Sequence, residues 1–255
     1  MFRFEQKNCL ADDAIASLEH SSVRLVIADL PYGITARNEW DKKIDLAAFF
    51  ARLDRVCCED AIVVLFAQGG FSAELMTGPW RKHYRYSLVW EKNKPRGFLN
   101  AKKQPLRYHE DILVFYKTPG TYNPQMVETG RPSHACKRAR TGSCYGDAGG
   151  GENMRAGCTD RYPSSILKFA VVNAEENPIH PTQKPQPLME YLIKTYSNAG
   201  DLVLDPCAGS CVVGGACKAL GRSFVGYEMD PDIFKAALEH LGINCKEKSE
   251  QETDN

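Results

Sequence analysis

DLVLDPCAGSCVVGGACKALGRSFVGYEMD, residues 201–230, reads as strand, small-residue turn, helix, strand and terminal acid. In a doubly wound sheet, small residues after the first strand let the backbone approach a ligand. The N-terminus of the next helix then attracts the ligand's anionic end. An acid about twenty residues further on is placed to bind two ribose hydroxyls, and Glu228 follows Asp205 by 23 positions. The segment suits a nucleoside-bearing ligand, although a GxGxxG fingerprint is absent. Simple helix-to-strand packing would also use small residues here.

The same grammar recurs elsewhere in the chain. VRLVIAD (23–29) is a buried strand running into Leu30, Pro31, Tyr32 and Gly33, and IDLAAFFARLDRV (44–56) carries a helical apolar stripe. AIVVLFAQGG (61–70), YSLVWEKN (86–93) and DILVFYK (111–117) are strands, and PLMEYLIKTYS (187–197) is an amphipathic helix with Pro187 in its first turn. DIFKAALEHLG (232–242) is a helix closed by Gly242. Alternating strands and helices predict an α/β domain with a mostly parallel sheet. A Pro turn accounts for Pro31 and Gly33, but not for an acid at the strand tip with a Tyr three residues later.

The regular pattern stops between about Thr118 and Phe169, a stretch with few apolar residues. It is too long for an ordinary connection and reads as either a disordered insert or a binding lobe that orders on its partner. The expected division is 1–117, 118–170, 171–245 and a polar tail, 246–255. The 32 basic and 32 acidic residues balance overall, but residues 81–168 hold 17 basic and 7 acidic side chains, an excess of ten. A basic middle on an acidic remainder fits a lobe that faces nucleic acid, and equally a solvated face that happens to be basic. No run approaches ~18 apolar residues. The N-terminus lacks a secretory h-region. The expectation is a cytoplasmic chain, off the membrane, whose ten cysteines are reduced. His134, Cys136, Cys144 and Cys158 have no zinc-like spacing, so no metal is expected.

Three motifs together resemble one family. DLPYG (29–33) is similar to the catalytic D-P-P-Y motif of amino-directed DNA methyltransferases. DPCAGSC (205–211) resembles their D-P-F-x-G-S-G cofactor motif, and HPTQKPQPLMEYLI (180–193) their H-P-T-x-K-P segment. YHEDILVFYK (108–117) resembles a further strand of the family. With the catalytic motif first and the cofactor motif last, the order is that of the beta class. The resemblance implies a Rossmann-like class I S-adenosylmethionine-dependent methyltransferase sheet with an irregular target-recognition insert. It also implies transfer of the methyl group to an exocyclic amine of a base flipped out of DNA.

The roles that follow are implied by that resemblance. The Asp29 carboxylate and the Leu30 carbonyl accept hydrogen bonds from the target amine. These bonds favour rehybridisation of a nitrogen whose lone pair is delocalised into the ring. Pro31 fixes the backbone, and Tyr32 stacks on the flipped base, a contact worth about 1–3 kcal/mol. Asp205, Cys207, Ala208, Gly209 and Ser210 line the methionine side of the cofactor, where Asp29 is also counted. Glu228 takes the ribose hydroxyls and Asn8 the adenine ring. Thr182 and Lys184 lie near the cofactor carboxylate, to which Lys184 supplies charge. Leu30 replaces the family's first proline, Cys207 its Phe and Cys211 its second glycine. A Cβ at 211 is expected to crowd the cofactor or to demand φ < 0.

The function implied is site-specific methylation of adenine N6 in double-stranded DNA, with cytosine N4 as the alternative within the class. A DNA-binding module that keeps the fold without catalysis is a different class, argued against by Asp29, Pro31 and Tyr32. An oxidoreductase is disfavoured by the missing GxGxxG. A monomer or homodimer, with a restriction endonuclease counterpart in a restriction-modification setting, completes the expectation.

Overall fold

A computed structural model describes residues 1–33, 43–133, 155–173, 179 and 183–243. The chain divides into two compact units, one of residues 1–123 with 165–255 and a smaller one of residues 124–164.

The larger unit is built on one eight-stranded sheet. Its strands are β1 (Phe2–Gln6), β2 (Val23–Ala28), β3 (Cys57–Ala67), β4 (Tyr84–Arg96) and β5 (Arg107–Phe115), followed by β8 (Ile166–Lys168), β9 (Leu202–Asp205) and β10 (Ser223–Glu228). The order is β1-β10-β9-β2-β3-β5-β4-β8. Pairings are parallel except on the two flanks of β5, which runs against β3 and β4. The helices are α1 (Leu46–Val56), α2 (Gly70–Thr77), α3 (Gln186–Tyr196), α4 (Val212–Ala219) and α5 (Pro231–His240).

Side chains alternate between the two faces of a strand, and both faces are covered. Leu25, Ile27, Ile62, Val64, Phe66, Val203 and Phe224 join Leu188, Leu192, Val213 and Leu238 of α3, α4 and α5 in one apolar cluster. Val26, Ala28, Val63, Leu65, Leu204 and Val225 join Phe49, Phe50 and Leu53 of α1 and Phe71 and Leu75 of α2 in the other. The starts of α1 and α5 are capped by acids: Asp45 accepts from the Ala48 N–H at 3.0 Å, and Asp230 from Asp232 and Ile233. No described helix is long and apolar enough to cross a membrane.

Two sequence expectations shift. The glycines of AQGG do more than end a strand, because Gly69, at φ +56°, starts α2. The compact second unit is narrower than the expected 118–170. Asn123 bonds to α3 through the Thr195 carbonyl at 2.8 Å, and Ile166–Lys168 pairs with β4 in the main sheet. Three residues with one buried side chain, Leu167, give too short a pattern to read as a strand. In the second unit, β6 (Val127–Glu128) pairs antiparallel with β7 (Asp160–Arg161).

Candidate functional site

β9 and β2 lie side by side, in register from Leu25↔Val203 to Val26↔Leu204. From β9 the sheet continues through β10 to β1, and from β2 it continues the other way through β3. Strand order therefore reverses between them, and ligands of open α/β sheets bind beyond the carboxyl ends at such a point. A cavity of about 570 Å³ opens there. Asn8, Asp29, Leu30, Pro31, Tyr32, Lys184, Asp205, Cys207, Ala208, Gly209, Ser210 and Glu228 all line it. Thr182 lies outside the described residues, as do His134, Cys136 and Cys144.

On the β9 side, Asp205 ends its strand on the face of Val203 and is 4% exposed. Burial pushes its carboxyl up to about 8, against the Cys207 N–H that it accepts at 3.2 Å, and the charges of Asp29 and Glu228 push the same way as burial. Glu228 ends β10. Its two oxygens accept from the Gly209 and Asp230 N–H groups, each at 2.8 Å, so it also ties down the turn it faces. Burial raises its pKa, and those backbone donors lower it. Gly209 sits at φ +51° with open space where a Cβ would stand. Asn8 turns its carbonyl oxygen to the Leu10 N–H at 2.9 Å, leaving its NH₂ for other partners. The Cys9 and Cys207 thiols hydrogen-bond to each other, which lowers the first and raises the second.

The expectation for Cys211 is overturned. It adopts φ +56°, ψ +31°, the left-handed conformation that favours glycine, at the N-terminus of α4. Its side chain is fully buried and does not line the cavity. A Cβ on Gly214 would stand 2.6 Å from Cys211 Sγ, which places the sulfur against α4. A backbone cost on the order of 1–2 kcal/mol is accepted, and room for a ligand is kept.

On the β2 side, Leu30 turns its side chain into the apolar cluster under α1 and α2, a role a proline would fill less well. Tyr32 stands against Phe71, ring centroids 5.0 Å apart, and its hydroxyl donates to Asp29 Oδ1 at 2.7 Å. Burial, and next the Asp29 charge, hold that phenol well above its usual range, so it stays a donor. Lys184 lines the same cavity. Its ammonium bonds Asp29 Oδ2 and lies 3.5 Å from Glu110 Oε2. Glu110 in turn bonds Lys92. Lys184 sits deep, 5.0 Å over the Phe66 ring, where an ammonium requires a carboxylate partner. Burial works against its charge, but Asp29 and Glu110 outweigh it and its pKa rises. Glu110 also resists burial, and Lys184 and Lys92 hold it below the carboxylate range. The result is an alternating row: acid, base, acid, base.

Sequence reasoning missed Glu110 and Gln68 as lining residues. The signal for Glu110 was present, since alternation along β5 puts it on the buried face of Ile112 and Val114.

The DNA methylase family model for N6- and N4-directed enzymes matches residues 23–239. The DNA adenine methyltransferase YhdJ of Escherichia coli is 27% identical over 98% of this chain and 87% of its own length. The type II methyltransferase M.HpaI of Haemophilus parainfluenzae is 26% identical over 89% of this chain and 71% of its own. A crystal structure of the M1.HpyAVI–SAM complex superposes with a TM-score of 0.65 at 23% identity, covering 95% of this chain and all of that one. With a family match spanning both the strand that leads into Asp29 and the strand that ends at Glu228, the chain belongs to the DNA methylase family of N6- and N4-directed enzymes.

Proposed function

We propose that this chain methylates the exocyclic N6 of adenine in double-stranded DNA, using S-adenosylmethionine. The observation that carries the reading is the meeting of Asp29 with Asp205 and Glu228 in one cavity at the point of strand-order reversal. The residues present suit that cofactor. Asp205 is buried, and burial outweighs the distant pull of Lys184 on its proton, so a positively charged methionine end favours its ionised form. Gly209 leaves room for close approach, and Glu228 faces the same turn. When bound, the sulfonium supplies an electrophilic methyl group.

The chain's own residues do the rest. Asp29 and the Leu30 carbonyl accept hydrogen bonds from the target amine. Both Asp29 oxygens are already held, one by Tyr32 and one by Lys184, so the carboxylate is aimed before the base arrives. Asp29 therefore works as an oriented acceptor that strengthens its hydrogen bond as positive charge develops on nitrogen. Tyr32 offers its ring to the flipped base, and unit 124–164, inside the basic middle of the chain, is assigned to reading the DNA site. A restriction endonuclease blocked by the same methylation is the corresponding partner.

The test is to express the chain in a methylation-free host, map modified positions and identify the base by mass spectrometry. N6-methyladenine at one recurring site is the expected result. N4-methylcytosine would move the reading to the alternative base, and no incorporated methyl would leave a binding module.

A further inference from the structure

The connection between β4 and β5 has so far no role. Because β5 runs against β3 and β4 against β5, β4 points the same way as β3, and residues 97–106 emerge at the carboxyl edge of the sheet. That is the edge of Asp29 and Asp205. The base of this hairpin adjoins the site: Arg96 is paired with Arg107, and Arg107 and Glu110 line the cavity. Its tip turns at Gly97, φ +94°, into a single helical turn, Phe98–Asn100. Phe98 is 64% exposed and Leu99 102%, side by side at the end of the projection. From Lys92 to Arg107 the sequence has six basic residues and no acid, and Lys102 and Lys103 are exposed beside the tip.

Two large apolar side chains held in water gain nothing for the fold, and a surrounding of like charges discourages a protein partner of the same sign. The combination suits a nucleic acid, in which cations meet phosphates while apolar side chains enter the base stack. A duplex that gives up a base to the cavity also leaves a gap at this edge.

We infer that Phe98 and Leu99 form a wedge that enters the DNA stack beside the target base and fills the space it vacates, with Lys102 and Lys103 on flanking phosphates. This rests on the reading of the chain as a base-extruding DNA methyltransferase.

The test uses the full chain and a synthetic duplex bearing the site found in the expressing host. Phe98→Ser with Leu99→Ser should slow methylation of the paired duplex about tenfold or more, since an unstacked step is left unfilled. Rate should return to within about threefold of wild type on a duplex whose nucleotide opposite the target is abasic, where the base is already unpaired. The salt dependence of duplex binding should be unchanged in this variant. In Lys102→Ala with Lys103→Ala it should flatten by about two in log–log slope, for two lost phosphate contacts. Both positions are exposed, and matching melting temperatures check the fold. If wild type methylates but the wedge variant keeps pace on the paired duplex, or stays equally slow on the abasic one, the wedge is wrong and the enzyme reading stands. If wild type leaves the host DNA unmethylated, both fall.

Discussion

The two units of this chain are held together by different physics. In residues 1–123 with 165–255, the central strands bury side chains on both faces, beneath helices. In residues 124–164 no described residue is buried. That unit is held by a two-residue strand pair, by Arg161 donating to the Cys158 and Arg131 carbonyls at 2.8 and 2.7 Å, and by the Arg155–Asp160 ion pair. Exposed pairs of this kind are worth about 0–1 kcal/mol each. An apolar core fixes positions closely, whereas arginines on carbonyls trade readily for water or phosphate. One unit is thus fixed by its core, and the other is held by polar bonds that can be exchanged.

Deletion of residues 131–158 removes most of the smaller unit. The Thr129 N–H bonds the Thr159 carbonyl at 3.0 Å, so the cut ends already lie together. Site-specific methylation should vanish, while the melting temperature stays within a few degrees of wild type. A shortened protein that still methylates the original site would place the reader elsewhere.

Within the rigid unit, Asp29→Ala should cut turnover by roughly 10²–10³, the cost of one preorganised electrostatic partner. Asp29→Asn should retain more, since it keeps an acceptor oxygen. Single-turnover methyl transfer on folded protein measures it, and a near wild-type rate for the Ala variant would remove Asp29 from the chemistry.

Asp205 sharpens the contrast through stability. Its carboxyl titrates at about 8 when folded, against 3.8 for a solvated aspartate, the value it regains on unfolding. Below about pH 4 it is neutral in both states and carries no penalty. As pH rises from about 4 to about 8 the unfolded chain loses the proton first, so stability declines. Asp205→Asn should therefore match wild type near pH 4 and exceed it by a few kcal/mol near pH 8.5 in urea unfolding without ligand. It should also bind S-adenosylmethionine more weakly. Equal pH profiles for the two proteins would refute the assignment.

The smallest effect concerns Cys211. Gly214→Ala drives a Cβ to 2.6 Å from Cys211 Sγ and 2.8 Å from the Phe224 ring, which should cost about 1–3 kcal/mol. Adding Cys211→Gly removes one of the two clashes and should recover part of the loss. A strictly additive double mutant would show that the sulfur does not press on that helix.

How much was legible follows from the kind of signal each region carries. The run from Leu202 to Glu228 announced itself because strand, small-residue turn and acid each leave a local mark. The partners of Lys184 did not, because they come from strands distant in sequence and brought alongside only by the sheet. One residue type, Lys beside proline, serves equally for a cofactor carboxylate or for Asp29. The left-handed Cys211 was illegible for a related reason: a backbone conformation that glycine prefers was imposed on another residue by its packing.

The pairing of β2 with β9 also sets a schedule for synthesis. Leu25 meets Val203 only after 178 further residues have been made, and β1 meets β10 later still. Until then β2, with five of its six side chains destined for burial, presents an open edge to anything that can add a strand. Closing so long a loop is slow. The growing chain thus leaves the ribosome with Asp29 early and its sheet incomplete until β9 and β10 have been made. Any call on chaperones belongs to that interval, and joining the ends while opening the chain ahead of Gln186 would shorten it without altering a side chain of the site.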